Sequence, residues 1–174
     1  MKSTTITSVL LVAIFLGCNR EEQHLLSTAE TVLPGNWYIE AVELPGTYGT
    51  TYQGSTIRSD TIIFDVGTIE IDQFSIAELE FDYAVPGVNC SVEILNEEFP
   101  YMIKHIFISG SEIFAYFRWN GPQGAFEIST PVEEFIWSSH IFNANYYVVV
   151  KDNDHIQLEK GNDRERHVIH MVRM

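Results

Sequence analysis

Apolar and polar residues alternate in short runs along the chain from Trp37 to the C-terminus. Runs such as YMIKHIFIS and EIFAYFRWN are rich in β-branched and aromatic residues, and Gly, Pro, Asn and Asp separate one run from the next. This pattern is typical of β-strands joined by tight turns, and about ten such strands in succession predict an all-β protein. Because the connections are mostly short and polar, we expect an antiparallel meander that closes into a barrel of about 8–10 strands. A β-sandwich is the alternative.

One of the predicted strands is apolar on both of its faces. The first face carries Ile113, Ala115, Phe117 and Trp119, and the second face carries Phe114 and Tyr116. A barrel would line its interior with one face and would cover part of the other with a helix or a loop. The segment PVEEFIWSSHIF has the best helical pattern in this part of the chain and predicts a short helix or an irregular lid.

The start of the chain has the pattern of an export signal. Lys2 precedes an apolar run from Val9 to Leu16. This run is far shorter than the roughly 20 residues with which a helix crosses a bilayer. Its length and its basic flank match the apolar core of a secretory signal peptide.

The apolar run ends in Phe15-Leu16-Gly17-Cys18, which resembles the lipobox of bacterial lipoproteins. The resemblance implies that residues 1–17 are a lipoprotein signal peptide and that Cys18 carries fatty acyl chains such as palmitate, which would hold the protein to a membrane. Asn19 resembles the residue that follows the cysteine in lipoproteins of the outer membrane of Gram-negative bacteria. The sequence leaves open whether the protein faces the periplasm or the cell exterior. A plain export signal with a chance cysteine is the alternative.

The segment after the signal differs in composition from the rest of the chain. Residues 18–34 are mostly polar and show no strand alternation. We interpret them as the lipidated cysteine and a flexible tether. Residues 35–174 then form a single β domain.

Charge and cysteine content exclude some classes of function. The chain has 24 acidic and 10 basic side chains, a net charge of −14, which disfavours binding to nucleic acid and to anionic lipid headgroups. It has two cysteines, Cys18 and Cys90. If Cys18 carries lipid, no disulfide can form within the chain, and we expect Cys90 to be a small buried apolar residue.

No motif of catalysis, metal binding or cofactor binding stands out. His167 and His170 lie three residues apart in a predicted strand, which places them on opposite faces, so they cannot bind one metal ion. The chain has no nucleophile elbow, phosphate loop or dinucleotide fingerprint. We therefore expect a protein that is not an enzyme and that uses neither a metal nor a cofactor.

The first strand begins with Gly35-Asn36-Trp37, and this Gly-x-Trp motif ahead of a long meander resembles the lipocalins. It is similar above all to the lipocalin-like domains of bacterial lipoproteins. The resemblance implies that Trp37 closes one end of the barrel and that a basic side chain of the last strand packs over its indole ring. Arg173 is the first candidate for that side chain, and Arg166 is the second.

The lipocalin resemblance also implies a function, the binding of a small hydrophobic molecule inside the barrel. Aromatic residues of the later strands are the candidates for the lining of such a site: Phe114, Tyr116, Phe117, Trp119, Tyr146 and Tyr147. The alternative is an interaction module of the cell envelope that binds a glycan or a protein partner through exposed aromatic residues. The sequence does not indicate an oligomeric state.

Overall fold

The structure, a computed structural model, describes residues 20–46, 50–53, 55–57, 59–75, 87–121, 130–139, 141–161 and 166–174. A first helix, α1, covers residues 20–32. The strands are β1 (Gly35–Leu44), β2 (Thr51–Tyr52), β3 (Ser55–Thr56), β4 (Thr61–Ile71), β5 (Val88–Ile94), β6 (Glu97–Ser109), β7 (Glu112–Trp119), β8 (Asn145–Val150), β9 (His155–Lys160) and β10 (His167–Arg173). A second helix, α2 (Pro131–Ser139), lies between β7 and β8.

Eight of these strands form a closed antiparallel barrel in the order β1-β10-β9-β8-β7-β6-β5-β4. Each strand pairs with its neighbour along the chain, and β1 closes the ring because it pairs with both β10 and β4. The short strands β2 and β3 form a separate two-stranded sheet. The predicted fold class is confirmed: the meander closes into a barrel and not into a sandwich. The architecture is consistent with a lipocalin-like fold.

Turn residues explain why neighbouring strands pair. Leu95 and Asn96 both have positive φ angles, 51° and 66°, between β5 and β6, as a tight two-residue hairpin turn requires. Gly110 has a φ of 64° between β6 and β7. Asp65, with a φ of 54°, interrupts the regular strand backbone within β4. The irregularity lies opposite the register shift between Ile39 and Ala41 of β1, and β4 continues past it over 11 residues.

The barrel has two different ends. The α1 end holds α1, the start of β1, the β6–β7 and β8–β9 turns and the C-terminus. The α2 end holds α2, the β2–β3 hairpin and the β5–β6 turn. The backbone N–H of Thr51 in β2 donates a hydrogen bond of 2.9 Å to Oγ of Ser138 in α2, so the hairpin and the helix cover this end together.

The flexible tether expected over residues 18–34 is not what the described part of that segment shows. Residues 20–32 are helical, and Ala29, Val32 and Leu33 are buried against the barrel. Leu25 and Leu26 also pack against the core. These apolar residues recur at helical spacing and form one face, and burying that face stabilises a helix where a solvated coil was expected.

Candidate functional site

The Gly-x-Trp motif and the last strand meet at the α1 end. Trp37 and Arg173 are paired in the β1–β10 register, and the guanidinium carbon lies 4.3 Å from the centroid of the indole ring. The indole is fully buried. Gly35 has a φ of 123°, and a Cβ there would lie 2.9 Å from Nη1 of Arg173. A glycine is therefore required for both the backbone conformation and the close approach of the guanidinium.

Arg173 also connects α1 to the barrel. Its Nη2 donates to the carbonyl of Val32 at 2.7 Å and its Nη1 to the carbonyl of Pro34 at 3.1 Å, while Nε donates to the carbonyl of Asn153 at 3.1 Å. The first bond satisfies the carbonyl of Val32 at the end of α1, which lacks a partner within the helix, and the other two tie Arg173 to the α1–β1 connection and to the β8–β9 turn. Arg166, the second candidate, instead forms an ion pair of 2.7 Å with Glu159 on the outer surface.

Large side chains fill the barrel interior where the structure describes it. Phe117 and Tyr146 are fully buried and pack edge to face, with ring centroids 5.8 Å apart. The hydroxyl of Tyr146 accepts a hydrogen bond of 3.0 Å from the backbone N–H of Phe142, and burial raises the pKa of this tyrosine. The residue acts as part of the core, and its phenol stays protonated at neutral pH.

One cavity at the α2 end, lined by described residues, is small. Trp119 packs against Tyr101, with ring centroids 5.5 Å apart, and Trp137 of α2 lies beside them. The cavity between these side chains has a volume of about 10 Å³, close to the least that admits one water molecule. Lys160 extends over the ring of Tyr146 at 5.7 Å, and burial lowers the pKa of its amine to about 8.

The other candidate aromatic residues lie on the outer surface of the barrel. Phe114, Tyr116 and Tyr147 alternate with the buried residues of β7 and β8, so they point away from the interior and cannot line a central cavity. Phe114 stacks on Phe107 of β6 at 4.8 Å and contacts Tyr147 at 4.3 Å between ring centroids. We call Phe107, Phe114 and Tyr147 the aromatic ladder. Phe107 is not among the residues predicted from the sequence to line a ligand site.

A groove of ligand size lies beside the aromatic ladder, at the α1 end. It runs between one side of α1 (His24, Leu25 and Thr28) and residues 111–113 and 147–150 of the β7–β8 pair. Its volume is about 430 Å³, within the range of small-molecule sites. We call it the α1 groove. Sequence reasoning missed it because its two walls come from segments that are far apart in the chain.

Two cysteine predictions have different outcomes. Cys18, the predicted lipidation site, lies outside the described residues. Cys90 is buried on the inner face of β5, as expected, and burial raises the pKa of its thiol to about 12. This thiol is therefore not a nucleophile at neutral pH.

Neither helix in the described ranges is long and apolar enough to cross a membrane. Within the same ranges, no group of three or more His, Cys, Asp or Glu side chains is arranged to hold a metal ion. Comparisons with protein families, curated proteins and solved structures found no match.

Proposed function

We propose that the protein is a lipid-anchored component of the cell envelope that binds a small hydrophobic ligand, and that the ligand site is the α1 groove. The barrel is a fold that can hold a ligand, but Phe117 and Tyr146 occupy its interior. The α1 groove offers about 430 Å³ of space outside that packed core. This difference in available space is the observation that carries the proposal.

The walls of the α1 groove suit an apolar ligand. Leu25 of α1 and Val149 of β8 provide aliphatic surface, and Tyr147 provides an aromatic ring. Glu112 and His24 are polar groups that can orient one end of a bound molecule. A mostly apolar cleft with a few polar groups is the usual composition of a small-molecule site.

The proposed anchor is the cysteine of the lipobox-like segment. Cys18 precedes the first described residue of α1 by two positions. An acylated Cys18 would hold α1, and with it the groove, close to the membrane surface. A hydrophobic ligand could then pass between the bilayer and the groove over a short distance.

The ligand site is tested by native mass spectrometry of protein purified from its own membrane. Thr28→Trp would fill the groove, while Asn143→Trp places the same bulk on an exposed position at the α2 end. We expect the wild type and Asn143→Trp to carry an apolar molecule that Thr28→Trp lacks. Retention by Thr28→Trp with loss from Asn143→Trp would move the site to the α2 end. Absence of any ligand from all three proteins would contradict the proposed binding function.

The anchor is tested separately by metabolic labelling with a palmitate analogue. We expect the analogue to mark the wild-type protein and not the Cys18→Ser variant, because the thiol is the proposed point of acylation. A wild-type protein that never takes up the label would show that the lipoprotein interpretation is wrong.

A further inference from the structure

We propose that the aromatic ladder is a membrane-docking surface, through which the barrel lies against the headgroup–acyl boundary of the bilayer that holds its lipid anchor. This inference rests on the proposed acylation of Cys18. It adds an orientation of the domain that the anchor alone does not determine.

The ladder is an exposed aromatic surface on a regular part of the barrel. Phe107 and Tyr147 are 38% and 37% exposed, and Phe114 lies between them in register across β6, β7 and β8. Three strands hold these rings in place, so docking would cost little conformational entropy. Tyrosine is enriched at membrane interfaces because its ring is apolar and its hydroxyl remains hydrated.

The position of α1 brings the anchor to the same side of the barrel as the ladder. His24 and Thr28 face Tyr147 across the α1 groove. Arg20, the first described residue, comes one helical turn before His24, and Cys18 comes two residues earlier. Only six residue steps separate Cys18 from His24 in the sequence, so an acyl chain on Cys18 would tether the chain close to α1. An anchor this close holds the ladder near the bilayer.

The local charge permits approach to an anionic membrane although the whole chain has a net charge of −14. Lys104 and Arg118 lie farther along β6 and β7, and Glu112 is the carboxylate on the outer face of β7. Glu159, the β9 partner of Tyr147, forms an ion pair of 2.7 Å with Arg166. Three cations against two carboxylates make this face far less acidic than the protein as a whole. The remaining acidic surface would then be directed away from the lipid headgroups.

The orientation is measured with a fluorophore of the NBD type on a single introduced cysteine in the lipidated protein. Ser109→Cys places it at the exposed end of β6 beside the ladder, and Glu40→Cys places it on β1, across the barrel. Cys90 stays unlabelled because its thiol is buried and has a pKa of about 12. The protein is reconstituted in phosphatidylethanolamine–phosphatidylglycerol vesicles that contain headgroup-nitroxide lipid. Contact with the interface should quench the label at 109 about threefold more than the label at 40.

Variants of the outer surface show whether the ladder causes the orientation. The double change Phe107→Ser and Tyr147→Ser should abolish the excess quenching at position 109. Phe64→Ser removes an aromatic residue that is 64% exposed on β4 and should leave the quenching unchanged. Cooperative thermal unfolding of each variant verifies its fold. If the double variant does not fold, Tyr147→Ser is used alone. This single change should lower the additional quenching at position 109 relative to position 40.

Three results would overturn the docking proposal. The labels at positions 109 and 40 could be quenched equally. The stronger quenching at position 109 could also persist in the variant that carries Phe107→Ser and Tyr147→Ser. Ladder-dependent binding of a soluble glycan or envelope protein with equal quenching would assign the surface to that partner. Absence of acylation at Cys18 is recognised separately. The intact mass would then lack the acyl chains, and Cys18 would take up the thiol label. The docking proposal would be wrong in that case as well.

Discussion

The pair of Trp37 and Arg173 gives the sharpest quantitative test of how the chain closes on itself. A guanidinium 4.3 Å from an indole centroid is in cation–π contact, which contributes about 0.5–2 kcal/mol. The arginine also donates hydrogen bonds to the carbonyls of Val32 and Pro34. Hydrogen bonds from charged groups contribute about 1.5–3 kcal/mol each, and we use the lower end because Arg173 is partly exposed.

We therefore expect Arg173→Ala to lower the free energy of unfolding by about 3.5–5 kcal/mol, from about 1.5 kcal/mol for each of the two hydrogen bonds and about 0.5–2 kcal/mol for the cation–π contact. Trp37→Leu removes a fully buried indole, and we expect a loss of about 2–4 kcal/mol. The double variant should lose about 1 kcal/mol less than the sum, because the cation–π contact can be lost only once. Arg173→Lys should recover less than half of the loss, since an ammonium cannot stack flat and bond both carbonyls.

The assay is urea unfolding followed by far-UV circular dichroism, with the free energies extrapolated to zero denaturant. The wild type, the two single variants Arg173→Ala and Trp37→Leu, and the double variant form a double-mutant cycle. Equal m-values for these four proteins would verify that their denatured states are comparable. Additivity within about 0.3–0.5 kcal/mol would contradict the coupling. In that event the contact between the two ends of the chain would not stabilise the barrel.

Two further changes test other parts of the structure. Tyr146→Phe leaves the backbone N–H of Phe142 without its buried acceptor, and we expect the free energy of unfolding in urea to fall by about 1–3 kcal/mol. Tyr147→Phe removes a hydroxyl on the surface and should leave the free energy of unfolding almost unchanged. Equal effects of the two changes would contradict the buried hydrogen bond. The exposed pair of Asp152 and His155, 2.8 Å apart, raises the pKa of the histidine and lowers that of the aspartate, chiefly through their hydrogen bond. The histidine contributes stability below its ordinary pKa and loses it as pH rises through the raised value, whereas the aspartate contributes above its ordinary pKa and loses it as pH falls through the lowered value. The pair is therefore strongest between about pH 4 and 6.5, and an NMR titration midpoint of the imidazole that Asp152→Asn does not lower would contradict the pairing.

The barrel could be predicted because the residues that define each hairpin lie close together in the sequence. Period-two alternation and turn residues such as Gly110 define each hairpin, and serial hairpins leave closure as the way to pair the outer edges. The short helix predicted in PVEEFIWSSHIF is present as α2. The spacing of Leu25, Ala29 and Val32 carries the helical signal of α1, but the polar composition of residues 18–34 favours the prediction of a flexible tether.

The candidate site was predictable only in part. Alternation in β7 separates Phe117 from Phe114, but the sequence does not state which face is turned inward, so both were candidates for one cavity. The structure places Phe117 inside and Phe114 outside. The α1 groove has no sequence signature, because it depends on where a helix outside the sheet packs against β8.

The location of the ligand site can be measured directly by methyl NMR in the presence of 4-hydroxy-TEMPO benzoate, a small hydrophobic nitroxide. We expect this probe to broaden the methyl signals of Leu25 and Val149, which line the α1 groove, far more than those of the interior residues Ile39 and Leu158. Thr28→Trp should remove the difference. Broadening centred on the interior methyls, unaffected by Thr28→Trp, would contradict the groove and place the ligand inside the barrel.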